Sequence, residues 1–226
     1  MMLRTAVTSA LWIGLMGLCL FLAAGTWHWP QAWAFIAIYF FGSIGFGAYY
    51  AKRDPALLKA RMEPLNTKGT PVWDRIFLFT FIPIWFLWLI FMGLDAGHWH
   101  LSKPMPVSVN VIGALLIVAG FVATLAVFNA NSFAEPTVRL QSDRGQHVID
   151  TGPYALVRHP MYASAILYLF GMPLLLGSTW GLVIPPLFII AVSLRAIGEE
   201  NKLARELPGY AQYMQRVPYR LVPFVW

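Results

Sequence analysis

The chain contains a single cysteine, Cys19, and only ten aspartates and glutamates in 226 residues. One cysteine excludes an intramolecular disulfide and any cysteine-based metal cluster, and its place inside an apolar run marks it as a small packing residue. Charged residues of both signs make up 12% of the chain, about half the usual share of a soluble domain. What stands in their place is apolar: 58% of residues are hydrophobic and mean hydropathy is +0.62. Too little charge, and apolar residues gathered into long runs, exclude a water-soluble domain and define a polytopic membrane protein.

Spans read at 5–24, 32–50, 76–92 and 107–128, followed by a shorter pair at 160–176 and 181–194. Only Gly177-Ser178-Thr179 separates the last two, so they form either two thin spans or one hairpin that enters the bilayer and returns. The expected fold is an all-α integral membrane protein with five to six transmembrane helices and a C-terminal cytoplasmic region. Positive residues collect in cytoplasmic loops, and this parse puts fifteen of the sixteen Lys and Arg on one side, with Lys103 alone on the other. Both termini are therefore expected in the cytoplasm. Arg4 and the Leu22-Ala23-Ala24-Gly25 segment resemble a secretory signal, but the apolar run is longer than a signal core and is read as a retained span.

A pI of about 9.6 invites a nucleic-acid partner. The positive charge is spread along one membrane rim, however, so contact with anionic lipid head groups is the simpler reading and no nucleic acid is expected. Trp27, Trp29, Tyr49, Tyr50, Trp99 and Trp226, near span ends, fit an interfacial belt. His98 and His100 have no third ligand near in sequence, and no metal is expected.

The polar segments carry the informative patterns. Residues 51–75 are basic and broken by Pro55, Pro64 and Pro71, which suits a loop lying on the head groups with a short interfacial helix at 55–61. Residues 129–150 form the longest polar stretch. Within it Val138-Arg139-Leu140-Gln141 and His147-Val148-Ile149 alternate around a Ser-Asp-Arg-Gly turn, the pattern of a two-stranded element. Gly152 to Ser164 reads GPYALVRHPMYAS; Pro160 suits the first turn of a helix, whose N–H needs no partner, and Arg158 and His159 stand just before it. After the second apolar pair, a polar helix places Arg195 one turn before Glu199, and Lys202 one turn before Glu206. Leu207-Pro208-Gly209 ends that helix, Tyr210, Tyr213 and Met214 form an aromatic face beyond it, and the tail RVPYRLVPFVW is expected to pack back on the same side.

Taken together, GPYALVRHPMY, the short helix pair, Glu199-Glu200 with Leu203, and GYAQYMQRVPYRLVPFVW resemble the isoprenylcysteine carboxyl methyltransferases and related phospholipid methyltransferases. The segment NANSF to VRLQSDRGQHV resembles the bacterial branch of that group. The resemblance covers residues 129–226, which it makes the methyltransferase core, and leaves 1–128 as N-terminal transmembrane helices. It implies an enzyme of the bacterial inner membrane that transfers a methyl group from S-adenosylmethionine to a lipid-like or prenylated small molecule. By position, His147, Gly152, Tyr154, His159, Tyr162 and Glu200 are implied to line the cofactor pocket, with Arg195 and Glu199 nearer the acceptor as the catalytic pair. One departure is Ser164, where the family often has glycine; a side chain there is expected to narrow the approach of the helix to the cofactor.

The chemistry agrees with that implication. S-adenosylmethionine carries a sulfonium, an ammonium, a carboxylate and ribose hydroxyls, so its pocket needs carboxylates, cationic or N–H donors, and aromatic faces. Glu199 and Glu200, Arg158 and His159, and Tyr154, Tyr162, Tyr210 and Tyr213 supply these three kinds. Adjacent glutamates on a helix point about 100° apart, so one can face the pocket while the other pairs with Arg195. A planar guanidinium at Arg195 favours a carboxylate acceptor of the prenylcysteine type, with a phospholipid amine or a small thiol as alternatives. Two other functions compete. A membrane reductase of the sterol-reductase kind, using NADPH, shares an RHP-like motif but is usually longer. A scaffold or small transporter would carry charge inside its spans, and none lies in the middle of these.

Overall fold

The computed structural model describes residues 2–226, and every regular element among them is helical. In chain order these are α1 (Met2–Ala24), α2 (Pro30–Arg53), α3 (Pro55–Arg61), α4 (Val72–Met92), α5 (Val107–Ala130), α6 (Pro160–Leu176), α7 (Ile184–Glu206) and α8 (Tyr210–Arg216). A π-helical turn, Gly93–Trp99, prolongs α4, and a 3₁₀ turn, Trp180–Val183, leads into α7. The local chemistry places the ends. Proline opens α2, α3 and α6 at a position where its missing N–H costs nothing. The Asp54 carboxylate caps α3 by accepting the Leu57 N–H at 2.9 Å. Gly177 and Gly209, with φ of 79° and 85°, supply the left-handed turns that end α6 and begin α8.

Five helices, counted with their extensions, are long and apolar enough to cross a membrane: Arg4–Ala24, Pro30–Arg53, Val72–Trp99, Val107–Ala130 and Trp180–Glu206. The protein is thus an integral membrane protein by the length and composition of its helices. Leu11, Phe41, Leu87, Leu115 and Leu194 project from their outer surfaces, while Leu20, Phe35, Leu89, Ile117, Met172 and Leu176 fill the interior.

The 17-residue α6 is shorter, about 25 Å at helical rise, but its neighbours show how far it reaches. It packs antiparallel to α5 so closely that a Cβ on Gly113 would lie 2.2 Å from the Leu175 nitrogen, and one on Gly171 2.8 Å from the Gly113 oxygen. Small residues let helix backbones approach in this way inside a bilayer, where water drives no association. At the far end of the pair, Asn110 donates to the carbonyls of Leu174 and Leu175. The turn that follows is tied to the end of α4: Asp95 accepts from Ser178 Oγ at 2.5 Å and Ser102 Oγ at 2.7 Å, and Trp88 donates to the Gly181 carbonyl at 3.0 Å. The α6–α7 pair therefore reaches the level of the far ends of α4 and α5. α7 then continues unbroken from the apolar stretch through the polar segment to Glu206.

At the opposite end lie both chain ends, α3, the 131–159 segment and α8. Thr5 Oγ1 lies 3.4 Å from the Met62 sulfur just after α3, and Arg61 donates to the Ala134 carbonyl at 2.9 Å. The tail returns as expected: Tyr219 and Arg220 carbonyls accept the N–H groups of Arg158 and His159, both at 2.9 Å.

The expected two-stranded element is absent among the described residues; Ser142–Arg144 is a 3₁₀ turn between irregular segments. Side chains take the bonds that a ladder would have used. Gln146 Oε1 accepts the Gln141 N–H at 2.7 Å, Gln141 Nε2 donates to the Phe133 carbonyl at 2.7 Å, and the Val138 N–H goes to Asp74 at 2.7 Å. With those donors occupied the alternating residues have no cross-strand partner.

Candidate active site

A cavity, open on one side, sits at the end of the bundle that carries both termini. Its walls are the first turn of α6, the polar part of α7, the irregular segments 131–139 and 146–149, and the face of α8 that carries Tyr210 and Tyr213.

The glutamate pair divides as helical geometry requires, Glu199 toward the cavity and Glu200 away from it. Glu200 is 2% exposed and does not line the cavity. One of its oxygens accepts from Arg158 Nε at 2.6 Å and lies 3.1 Å from His159 Nε2; the other accepts from Arg220 Nε at 2.9 Å. Arg158 also donates to the Val217 carbonyl at 2.7 Å. Glu200 is thus the hub that joins the α6 start to the tail. Glu199 faces the cavity with its side chain 26% exposed. Tyr162 Oη donates to its Oε2 at 2.7 Å, and His159 Nδ1 lies 3.7 Å from the same oxygen. Glu199 Oε1 accepts no hydrogen bond from any described residue and is free for a ligand.

His159 and Tyr162 stack with ring centroids 5.4 Å apart and planes 9° from parallel. The histidine therefore touches both glutamates and fixes the tyrosine that orients the exposed one. Tyr154, positioned by the 3₁₀ turn Gly152–Ala155, accepts from Asn131 at 2.8 Å, and Tyr213 Oη donates to its carbonyl at 2.8 Å. Burial pushes the hydroxyls of Tyr154, Tyr210 and Tyr213 well above the usual tyrosine range, so these rings remain neutral near pH 7. Burial also raises Glu135, against the pull of Arg139 2.7 Å away. His147 stands exposed at the rim, edge-on to Phe133 at 5.4 Å.

Of the residues singled out from the sequence, the fold brings His147, Tyr154, Arg158, His159, Tyr162 and Glu199 to the cavity wall. Arg195 and Glu200 are buried and do not line it, and Gly152 is exposed outside it. Gly152 acts through its backbone, with φ of 58° and a Cβ position 3.3 Å from Ala130. Arg195 does not pair with Glu199 as its spacing suggested; its Nε donates to Asp74 at 2.8 Å and its Nη2 to the Pro136 carbonyl at 2.6 Å. Ser164 does not narrow the cavity either. It is buried against α5, with its hydroxyl 3.1 Å from that of Thr124 and donating to the Met161 carbonyl at 2.8 Å. Sequence reading gave no site role to Asp74, Phe133, Glu135 or Arg139; Phe133 and Arg139 lie in the NANSF and VRLQSDRGQHV segments, but only the fold shows that they, Glu135 and Asp74 stand at or behind the cavity wall.

Fold and site together define a polytopic helical membrane protein with a polar, tyrosine-lined cavity at the end of its bundle. Residues 109–208 match the phospholipid methyltransferase family. The match runs from α5 to just past α7, so it includes Arg158, His159, Tyr162, Glu199 and Glu200 but not Asp74, Tyr210, Tyr213 or Arg220. No curated protein sequence matches the chain.

Proposed function

We propose that the protein is a membrane methyltransferase that uses S-adenosylmethionine to methylate a lipid-like acceptor. The observation that carries this reading is Glu199, which lies in a segment matched by a methyltransferase family and whose free carboxylate oxygen faces a cavity walled by tyrosines. The residues fit the cofactor's groups. Glu135 suits an ammonium or ribose hydroxyls, Arg139 and His147 suit a carboxylate, and the faces of Tyr154, Tyr162, Tyr210 and Tyr213 suit a sulfonium. When bound, S-adenosylmethionine supplies an electrophilic methyl group open to in-line displacement.

What the chain adds is alignment and a proton acceptor. The Tyr162 hydroxyl and the His159 ring hold Glu199 in one orientation, leaving Oε1 to receive a proton from the attacking group. A carboxylate acceptor, expected through the fork of Arg195, finds that guanidinium already committed to Asp74 and Pro136. The geometry instead favours an acceptor that must lose a proton, a lipid amine or a thiol, with Glu199 as general base. The amine fits the phospholipid description of the matched family better than the thiol does.

Detergent-solubilised protein is expected to bind radiolabelled S-adenosylmethionine and not NADPH. The reverse pattern would return the chain to the reductase reading. With methyl-labelled cofactor and lipid extract, mass spectrometry should find the label on a lipid nitrogen.

We further place the protein in a bacterial inner membrane with the cavity and both termini in the cytoplasm. The shared face of the two chain ends, and the gathering of Lys and Arg on it, support this arrangement. Reporter fusions at the two ends should both read cytoplasm. Opposite locations would require an odd number of crossings and would break the parse.

A further inference from the structure

Asp74 lies at the start of α4, in the N-terminal half and outside the matched segment, and is 0% exposed. A buried carboxylate is costly to desolvate, and buried ion pairs are weak contributors to stability compared with apolar packing. Its bonds point to another role. Oδ1 accepts from Arg195 Nε at 2.8 Å, and Oδ2 accepts the Val138 N–H at 2.7 Å. Arg195 in turn donates to the Pro136 carbonyl, so the pair grips the segment 136–138 at two points, one carbonyl and one N–H. Thr137 and Val138 line the cavity. The same guanidinium lies between two rings, 5.1 Å from the centroid of Phe77 and 5.6 Å from that of Tyr162. Tyr162 is the residue that orients Glu199.

We propose that Asp74 is a positioning residue for the methyl-transfer site: through Arg195 it holds Tyr162 against Glu199, and through Val138 it fixes the cavity wall. The inference rests on the function proposed above, because it assigns Asp74 to the same site. It also separates parts of the chain by role: residues after α5 supply the groups that face the cavity, and α4 supplies the fixed point they are aligned on.

Asparagine at 74 keeps the shape but offers one acceptor oxygen where two are used, so either Arg195 or Val138 loses its bond. Asp74→Asn is expected to lower turnover by about 10- to 100-fold, the scale of a misalignment of about 1 Å, with little change in S-adenosylmethionine affinity. It should also open the peptide bond after Arg139 to trypsin, which the bound loop of the wild type resists. Leu78→Ala, one turn along α4 and buried away from the cavity, is the stability control. It should lower the melting temperature while keeping turnover and protection of Arg139. If Asp74→Asn does not fold, Arg195→Lys asks the same question, because lysine keeps the charge facing Asp74 but cannot also reach Pro136.

Wild-type turnover in a folded Asp74→Asn or Arg195→Lys variant, or an equal loss of turnover in Leu78→Ala, overturns the proposal. Protection of Arg139 in Asp74→Asn overturns the part that concerns the wall. Should the wild type bind no S-adenosylmethionine, the proposed function fails, while trypsin still decides whether Asp74 holds the loop.

Discussion

Glu199→Gln is expected to lower methyl transfer by about 10²- to 10⁴-fold, the usual worth of a general base, while leaving the protein folded. Glutamine has the same shape, and its carbonyl oxygen can still accept the hydrogen bond that Tyr162 donates at 2.7 Å. What it cannot do is take a proton. The residual activity should therefore rise with pH, because an amine or thiol that loses its proton to solvent no longer needs the carboxylate. Turnover measured with saturating S-adenosylmethionine across neutral to alkaline pH reads both effects. A carboxylate acceptor is already ionised at neutral pH and needs no base, so a Glu199→Gln variant with wild-type turnover would return the acceptor to the prenylcysteine type. The variant thus distinguishes acceptor classes as well as testing the residue.

The features that follow from local chain chemistry were legible in the sequence. The spans, the interfacial helix at Pro55–Arg61, the helix starting at Pro160 and the break at Leu207-Pro208-Gly209 all depend on hydropathy, proline, glycine and capping. The reach of α6 did not follow from its 17 residues alone; it is set by the close approach of its own Gly171 to Gly113 and by bonds with Asp95 and Asn110, the last three remote in sequence. The alternation at 138–149 failed as a strand signal because Gln141, Gln146 and Asp74 satisfy backbone and side-chain groups that a ladder would have paired. The site showed the same division. Motif residues reached the cavity, but which glutamate faces it depends on partners 41 and 42 residues earlier, His159 and Arg158, and 20 residues later, Arg220. Helical spacing placed Arg195 beside Glu199. It could not weigh that exposed neighbour against Asp74, 121 residues away and fully buried.

The partners of Glu200 also determine what its removal does. Glu200→Ala is expected to destabilise the protein by about 3–5 kcal/mol, the cost of leaving a buried charge without its partner. Arg158 is the charge that suffers, since it is buried and retains only the Val217 carbonyl. Arg220, with its side chain 29% exposed, can turn to water, so Arg220→Ala should cost much less. The loss at Glu200 is also local in its consequences. Glu200 joins the start of α6 to the tail, and without it His159 loses the contact at 3.1 Å that fixes its ring against Tyr162. Cofactor affinity and turnover should fall together in Glu200→Ala, whereas Glu199→Gln loses turnover with the melting temperature intact. Thermal unfolding in detergent, alongside calorimetric binding of S-adenosylmethionine, separates these patterns. A Glu200→Ala protein as stable as the wild type would mean that Arg158 finds another acceptor, and the hub would then lie in the tail carbonyls of Val217, Tyr219 and Arg220 rather than in the glutamate.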